Sequence, residues 1–375
     1  MTGLERGMQM QLFVGPTLPV PACYDVMSAF VSAEVTDSGA ERNAFTLTFT
    51  LGRSLLGDYA LLRDDVFAAR RRVVVAVSFG ARVEVLIDGL VTYHQVLPGS
   101  RPGEARLAVS GEDLSMLLDL EERSDTFPNQ SDADIARGIL RRYVADGVRA
   151  DVHDPDIRPS DTQRVFSQQH SDLATLVALA RRNTGFVFYI EPGDVPGQCV
   201  AYWGPERRVD LSNAQPALTV DMGPWTNVDS ISFDMNALGP VATEANRLDP
   251  DSRATEATTR MLPTAPNLAR RPLEELRTVV DRRAALRPPD VARVALGAAT
   301  VRNADAVTAS GEVDAARYGG VLRARQLVGV RGVGDSFGGL YYVRSVRHTL
   351  SPGSYRMSFT LAREGVGSTV ALVTV

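Results

Sequence analysis

The first third of the chain is dominated by alternation of apolar and polar residues, the period expected of strands with one buried face. The clearest run is 45–51, where Phe and Leu side chains on one face alternate with Thr side chains on the other. Both sets of residues favour extended backbone. Alternation over 73–79 and 83–87, on either side of a glycine turn, predicts a hairpin, and 91–93 and 107–109 extend it to a meander. We expect a small antiparallel barrel or half-barrel here.

A change to helical periodicity follows Pro128. Ser131 is a good N-cap, and Asp134 stands three residues later, as in a capping box. The apolar residues that follow recur at helical spacing and share one face: Ile135, Ile139, Leu140 and Tyr143. The sequence therefore predicts a helix that begins at Ser131.

A second helix is predicted from Ser171, with Asp172 in its first turn and its end at 183–185. Its buried face comprises Leu173, Leu176, Val177 and Ala180. An aromatic strand follows at Phe186–Ile190. Two helices and a strand between two β-rich stretches indicate an inserted α/β module.

The strand signal returns at 231–235 and is then interrupted by a polar run rich in Thr and Pro at 248–267, which predicts a loop or flexible insertion. Pro272 is expected to open a helix that ends at Arg287, before Pro288. Its expected apolar face consists of Leu273, Leu276 and Val280.

The C-terminal part alternates again, with strands predicted at 327–330, 341–346 and 355–361. Glycine-containing turns at 332–339 and 351–353 separate these strands. The predicted fold class is therefore α+β and β-rich, in a β, α/β, β layout. The expected domains are 1–125, 126–205 and 206–375, the last with a polar and helical insertion at about 248–290.

Composition narrows the possible functions. The formal net charge is -5 with a pI near 5.5, so the chain offers no general positive field for a nucleic-acid backbone. Every basic residue is Arg, which excludes chemistry that depends on a lysine, such as a P-loop or a Schiff base. Cys23 and Cys199 lie far apart and predict reduced thiols rather than a disulfide framework. With no apolar run long enough to cross a bilayer, the chain is expected to be made and kept in the cytosol unless a larger particle carries it out.

Groups of residues that could carry chemistry are better explained as structural. His170, Ser171 and Asp172 contain the residue types of a catalytic triad, but neighbouring residues point in different directions and the serine is needed as a helix cap. His153, Asp154 and Asp156 could in principle ligate a metal, but with a proline among them a solvated turn is favoured. We predict no catalytic, cofactor-binding or metal-binding residues and no cofactor.

Three other features are assigned to structure for similar reasons. The glycines of 332–339 resemble a phosphate-binding loop only superficially, and a hairpin turn is favoured. His348 lies in an aromatic and β-branched strand, where a packed histidine is the commoner case. The arginine pairs that begin at Arg141 and Arg181 are interpreted as solvated helix faces or intersubunit partners, with anion binding as the lesser alternative.

Several stretches resemble the late-control D family of phage tails, which includes the hubs of contractile tails and of type VI secretion spikes. The resembling segments are 85–91, 107–114 with Gly111, Glu112 and Asp113, 168–190, and the closing hairpin from Gly338 to Tyr355. One departure is 321–327, where the family pattern has a Pro-Gly turn and this chain has Arg-Ala-Arg-Gln.

The resemblance implies a fold with two antiparallel β-barrel domains like the subunit of a tail tube, and a homotrimer that adapts a hexameric inner tube to a trimeric spike. Baseplate wedge proteins would contact the rim, with 248–267 as a wedge-contacting arm. The expected protein is not an enzyme, binds no specific nucleic acid, does not insert into membranes, and assembles in the cytoplasm before joining a virion or an injection particle. The spike is expected to be a separate polypeptide. The alternative function is a tail-tip peptidoglycan hydrolase or peptidase.

Overall fold

The computed structural model describes residues 2–3, 7–39, 41–52, 59–63, 65–101, 103–155, 166–183, 185–208, 210, 212, 214–248, 255–258, 267–280 and 305–370. Strands predominate in both β-rich parts, as the alternation predicts. The strand at residues 44–50 illustrates the cause, because Phe45, Leu47 and Phe49 are fully buried and the intervening Thr46 is exposed.

The N-terminal part contains strands and two short helices. They are β1 Thr2–Gly3, β2 Met8–Gly15, β3 Val20–Pro21, α1 Tyr24–Ser28, β4 Phe30–Ser38, β5 Ala44–Thr50, α2 Ala60–Arg63, β6 Arg72–Phe79, β7 Arg82–Leu97 and β8 Arg106–Asp113. The predicted hairpin is present, since β6 and β7 pair antiparallel from Phe79 with Arg82 to Arg72 with Leu90. Strand β7 is long enough to pair with β6 through its first half and with β8 through its second half.

The middle part is the predicted α/β module. It contains a 3₁₀ helix Leu114–Asp119, β9 Thr126–Phe127, α3 Asp132–Leu140, a 3₁₀ helix Arg141–Asp146, β10 Val148–Val152, β11 Phe166–Ser167, α4 Asp172–Arg182, β12 Phe186–Pro192 and β13 Cys199–Pro205. Both predicted caps are present. The Ser131 side chain accepts the N–H of Asp134, and the Ser171 side chain accepts the N–H of Ala174.

The C-terminal part returns to strands. They are β14 Ala214–Thr219, a 3₁₀ helix Gly223–Trp225, β15 Ser230–Met235, β16 Val241–Leu248, β17 Thr255–Thr258, β18 Ala269–Pro272, β19 Arg277–Val280, β20 Val307–Asp314, α5 Ala315–Tyr318, β21 Leu327–Arg331, α6 Gly334–Phe337, β22 Gly339–Ser351, β23 Ser354–Arg363 and β24 Gly365–Ser368. The hairpin predicted around 332–339 is present between β21 and β22, and the four-residue α6 lies within its connection.

The helix predicted from Pro272 is wrong as far as the described residues reach. Pro272 ends strand β18, which pairs with β24, and the next segment forms β19, which pairs parallel with β16. The apolar residues taken as a helical face are not buried together, since Leu276 and Val280 are both exposed. Thr278 and the two valines that follow favour extended backbone. Residues 281–287 lie outside the described residues.

The predicted loop at 248–267 is likewise only partly correct. Residues 255–258 form β17, which pairs antiparallel with the end of β16, for example Thr258 with Ala245. The remainder of this run lies outside the described residues, apart from its two ends.

Hydrogen-bonded strands form one long path through both β-rich parts, in the order β1, β2, β6, β7, β8, β5, β4, β22, β23, β20, β15. Among the described strands this path is open and does not close into a barrel. The expectation of two separate barrels therefore needs correction. The two β-rich parts share a sheet because β4 of the first pairs antiparallel with β22 of the second, where each part would otherwise end in a free edge.

One apolar core extends beneath both β-rich parts, with Phe49 and Leu47 from the first and Val346 and Leu361 from the second among its buried residues. The module has its own core around Trp203, whose indole N–H donates to the Leu176 carbonyl at 3.1 Å.

The module is anchored to the first β-rich part by a buried ion pair. Arg72 pairs with Asp88 at 2.7 Å, and the Asp88 carboxylate accepts the Gly197 N–H at 3.0 Å. Arg72 also donates to the Asp146 carbonyl at 2.6 Å. These bonds connect the module to the start of β6 and the middle of β7, so its position relative to the sheet is fixed.

Candidate assembly interface

The two β-rich parts repeat one strand order. In chain order the first block consists of strands a, b, c and d, which are β4, β5, β7 and β8, and the second block of β15, β20, β22 and β23. In both blocks the order across the sheet is c, d, b, a. Pairing between neighbours is antiparallel in both. The sheet is therefore built from two copies of one four-stranded pattern, joined where strand a of the first block meets strand c of the second.

A bulge in strand c fixes the residue correspondence between the blocks. The β7–β8 register shifts between Val91 and Tyr93, and the β22–β23 register shifts between Val343 and Ser345. The preceding segment makes the same two main-chain bonds in each block. Val91 bonds to Arg71 and Arg70, and Val343 bonds to Gln326 and Arg325, at 2.8–2.9 Å. Val91 thus corresponds to Val343, and Arg70 to Arg325.

Arg70 and Arg325 also share an uncommon backbone conformation, with φ of 65° and 63°. Such a left-handed conformation is strained for a side chain larger than glycine. Its recurrence at corresponding positions is further evidence of a repeated structure. It also explains the departure at 321–327, where the strand is entered through an arginine at positive φ instead of a Pro-Gly turn.

The joint between the blocks is the β4–β22 ladder, which runs from Ser345 opposite Ser38 to Leu350 opposite Ala33. Arg325 is buried beside this ladder. Its guanidinium pairs with Asp37 at 2.9 Å and donates to the Ser38 carbonyl and, at 3.1 Å, to the Asn43 side chain. The second Asp37 oxygen accepts the Ala324 N–H at 2.9 Å.

The same arginine connects the joint to the module, because its guanidinium lies over the Tyr189 ring at 4.4 Å. Burial acts to raise the pKa of Asp37, but the charges of Arg325 and Arg323 and the Ala324 hydrogen bond outweigh it and lower that pKa. Asp37 is therefore a carboxylate in the folded protein. Burial raises the pKa of Glu191 nearby, with Arg325 opposing the shift.

His348 lies in the joint opposite Val35, fully buried. Its Nδ1 is 3.0 Å from the Tyr355 hydroxyl. Burial lowers the pKa of His348 to about 3, partly offset by the Asp37 charge. A neutral imidazole packed in the sheet agrees with the structural role that the sequence predicts.

The two ends of the repeated pattern are free. The outer half of β7, Tyr93–Leu97, pairs with β8 on one side, and β15 pairs with β20 on one side; on their other sides no strand among the described residues pairs with them. Both edges carry exposed apolar side chains: Tyr93, Val96 and Leu97 on β7, and Met235 on β15. Unprotected apolar edges of this kind are sites for pairing with another chain.

Two of the three triad-like residues at 170–172, Ser171 and Asp172, have side chains held in structural contacts. Ser171 caps α4 and donates its hydroxyl to Asp119 at 2.6 Å. Asp172 is buried and accepts hydrogen bonds from Tyr143 at 2.8 Å and Arg142 at 2.9 Å. His170 is exposed. Sequence reasoning identified Ser171 as a cap but missed Asp172 as the centre of a buried hydrogen-bond network.

The remaining residues considered for chemistry are dispersed. His153 lies 3.4 Å from Asp151, and Asp154 pairs with Arg137 at 3.2 Å. Asp156 lies outside the described residues. Within the described part of the chain no cluster of His, Cys, Asp and Glu has the geometry of a metal site.

Cys23 is an exposed free thiol and Cys199 a buried one. The arginines Arg141 and Arg181 are exposed on the module. The part of the chain that the structure covers contains no helix with the length and apolarity to cross a bilayer.

No family model and no curated protein matches the sequence. Solved structures do match the fold. A tail protein from Neisseria meningitidis aligns over 96% of this chain and 98% of its own, with a TM-score of 0.60 and 15% identity. The 43 kDa tail protein of prophage MuSo2 from Shewanella oneidensis aligns over 95% of this chain and 98% of its own, with a TM-score of 0.58 and 16% identity.

A third match is the E. coli c3393 protein, described as a component of the type VI secretion system with structural similarity to the T4 bacteriophage tail proteins gp27 and gp5. It aligns over 92% of this chain and 77% of its own, with a TM-score of 0.52 and 14% identity. Matching proteins of phage tails and of type VI secretion thus span nearly the whole of this chain at low identity. The chain has the fold of phage tail proteins.

Proposed function

We propose that the protein is the central hub of a contractile, phage-tail-like baseplate, of the late-control D type. As a homotrimer it would adapt a hexameric inner tube to a trimeric spike. The observation that carries this proposal is the repeated c, d, b, a strand order, joined head to tail at β4 and β22. A head-to-tail contact closes into a ring when the rotation permits. Three chains, each with two like blocks, then form a ring with six similar positions.

The two ends of such a ring differ, and the difference follows from the chain connections. At the end where strand a begins, both blocks have short segments before strand a and after strand b. In the first block these are α1 and α2, and in the second block they are the Gly223–Trp225 turn and α5. Like segments flank strands a and b in both blocks, so this part of the end would repeat six times, whereas the connection between strands c and d is longer in the first block, 98–105, than in the second, 352–353. It is the end suited to a sixfold tube.

At the opposite end the blocks differ. The first block connects strands a and b through residues 39–43 and continues from strand d into the module. The second block connects its strands a and b through residues 236–306, which include β16 to β19. This end therefore repeats only three times, as contact with a threefold spike requires. Part of the 236–306 connection, including 248–267, would reach the wedge proteins.

The sixfold end carries two matched aromatic side chains. Tyr24 on α1 and Trp225 in the Gly223–Trp225 turn are 83% and 74% exposed, the two most exposed aromatic residues among those described. They occupy corresponding segments of the two blocks. Exposed Tyr and Trp side chains are typical anchors in protein interfaces. We assign them to contacts with the tube.

The proposal keeps the domain division 1–125, 126–205 and 206–375, a non-enzymatic role, and assembly in the cytoplasm before incorporation into a particle. Light scattering tests the oligomer. We expect a mass of about 120 kDa for a trimer of the 40.5 kDa chain alone, or that mass plus the mass of the spike when the trimer forms with the spike protein. A protein that stays monomeric in both conditions would contradict the proposal. Class averages from electron microscopy should show a ring with an open centre.

Tube docking tests the assignment of the ends. Tyr24→Ser combined with Trp225→Ser should abolish co-sedimentation with preformed tubes and leave the trimer intact. Val144→Ser is the matched control, because Val144 is exposed on the module at the other end. Loss of tube binding in the control alone would reverse the assignment.

A further inference from the structure

We propose that strand β15 of one copy pairs antiparallel with the outer half of β7 of the next copy, with Gln95 opposite Asp234. This inference rests on the proposed homotrimer and specifies its interface residue by residue. The internal joint between β4 and β22 serves as the template, because it is the same a-to-c contact made within one chain.

The register follows from the correspondence between the blocks. Counting from the bulges, Ser345 corresponds to Tyr93. Following the ladders across each block, Glu34 pairs with Thr46 in the first and Ser232 with Ser310 in the second. Thr46 in turn pairs with Ser110, the strand-d residue opposite Tyr93. Ser310 likewise pairs with Thr360, the strand-d residue opposite Ser345. Glu34 therefore corresponds to Ser232.

Applying this correspondence to the joint gives the new ladder. Ser38 corresponds to Asn236, and Ser345 corresponds to Tyr93. The Ser38–Ser345 pair of the internal joint therefore predicts that Asn236 lies opposite Tyr93 of the next copy. The predicted pairs within the two strands are His94 with Met235, Gln95 with Asp234, Val96 with Phe233, and Leu97 with Ser232.

The side chains at these positions match across the predicted interface. Val96 pairs with Leu107 and lies on the core face of its block, and Phe233 packs against the core of the other. An apolar side chain would thus meet an aromatic one on the buried face. On the opposite face the Gln95 amide would meet the Asp234 carboxylate, which can accept its N–H. Val96 and Met235, now 37% and 56% exposed, would both be covered.

The stagger of the ladder supports closure into a barrel. The stagger is the shift along strand c between one block and the next when directly paired residues are followed across the sheet. Starting from Tyr93, the pairs lead through Ser110, Thr46 and Glu34 to Thr349. Ser345 is the counterpart of Tyr93, so the stagger is four residues. A stagger of four residues for each four-stranded block gives a strand tilt of about 35° from the standard rise and strand spacing, within the usual range for barrels. Six blocks at that tilt enclose a ring about 45 Å in diameter, measured between main-chain atoms.

The two kinds of joint differ in one respect. Within the chain Arg325 is held by the Asp37 carboxylate, but the residue that corresponds to Asp37 is Met235. The arginine that corresponds to Arg325 is Arg70 of the next copy, which is exposed in the single chain. Of the contacts that Arg325 makes with β4, Arg70 would keep only the one to a main-chain carbonyl, that of Asn236 in place of Ser38. The intersubunit joint is therefore the weaker of the two and the one that separates when the assembly dissociates.

Cysteine cross-linking tests the register. In a Cys23→Ser background, the double variant Gln95→Cys with Asp234→Cys should form a covalent trimer on oxidation, seen on a non-reducing denaturing gel. Directly opposed residues of antiparallel strands are about 4.5–5.5 Å apart at Cα, within reach of a disulfide. The two cysteines of one chain cannot join each other, because seven strand spacings, about 34 Å, separate the edges.

Controls separate the register from the oligomer. Gln95→Cys with Met235→Cys places the thiols on opposite faces and should give no covalent trimer. Gln95→Cys alone gives a dimer only if two β7 edges meet, which would overturn the proposal. A trimer by light scattering without cross-linking in the first variant would also overturn the register and leave the proposed function standing, whereas a protein that stays monomeric both alone and with the spike protein would refute both.

A charge series gives a second measurement that does not depend on cysteine geometry. Gln95→Glu places like charges opposite each other and should weaken trimer association about twofold to fivefold per joint, and Gln95→Arg should strengthen it by a similar factor. Asp234→Arg in the Gln95→Glu background should restore association. Equal effects of Gln95→Glu and Gln95→Arg would contradict the predicted pairing. Gln95 is exposed in the single chain, so these changes leave its folding intact.

Discussion

Arg325 is expected to be the most sensitive position in the joint between the blocks. Arg325→Ala removes the ion pair with Asp37, two further hydrogen bonds and the contact with the Tyr189 ring. It leaves Asp37, which is 6% exposed, with the Ala324 N–H as its remaining hydrogen-bond donor among the described contacts. Removing one partner of a buried ion pair costs about 3–5 kcal/mol, because the other charge stays buried without compensation. We expect a loss of that size in the free energy of unfolding.

A double-mutant cycle distinguishes this cause from a simple loss of packing. Asp37→Ala should cost a similar amount to Arg325→Ala, and the double variant should cost clearly less than the two together, because it removes the isolated charge. Urea unfolding followed by tryptophan fluorescence measures all three. Arg70→Ala is the matched control, since Arg70 has the same left-handed backbone but is exposed, and it should change stability by less than about 1 kcal/mol. Equal effects of the two arginine variants, or full additivity in the cycle, would refute the reasoning.

Two further predictions concern buried polar groups. The pKa of His348 is about 3 in the folded protein against 6.5 for a free histidine, so the folded state binds fewer protons and its stability falls as pH drops below 6.5, by up to about 1.4 kcal/mol per pH unit. Urea midpoints at pH 7.5 and pH 5 should differ less in His348→Gln, which keeps an acceptor for the Tyr355 hydroxyl, and an equal difference in both proteins would contradict this. Asp172→Ala should destabilise the module by about 3 kcal/mol or more, because Arg142 and Tyr143 lose their shared acceptor. Asp134→Ala, at an exposed position, is its control in the same unfolding assay.

Local signals in the sequence predicted much of the secondary structure. Alternation located the strand around 45–51 because one of its faces lies in the core, whereas the strand around 73–79, which contains a run of valines, is buried on both faces. Ser131 and Ser171 marked two helix starts because a cap acts within three residues. The same kind of signal failed at Pro272, where three apolar residues at helical spacing had no core to bury them. Periodicity predicts a helix only when its apolar face has a partner.

The assembly surfaces could not be predicted in this way. The contact between Asp37 and Arg325 joins residues 288 positions apart, and no local pattern marks either residue. The segments 66–75 and 321–330 are identical at five of ten aligned positions, but so short a match does not mark a repeat by itself, and the shared backbone conformation of Arg70 and Arg325 establishes the correspondence. The alternation that located strand c gave no indication that its outer half has a free edge. One sign of the repeat was nevertheless present in the sequence, because the departure from the family pattern at 321–327 includes Arg325, whose main chain bonds to Val343 beside the bulge.

Fusion of two blocks into one chain explains how the proposed ring can have unlike ends. In a ring of six single-block subunits any insertion recurs six times, because symmetry copies every feature of the subunit. With two blocks in one chain, the module can follow strand d of the first block only, and the 236–306 connection can occur in the second only. The blocks then stay alike where a sixfold partner docks and diverge where a threefold partner docks. The buried Arg325–Asp37 pair fits this arrangement, because only a joint within the chain is formed once, during folding, and never has to separate.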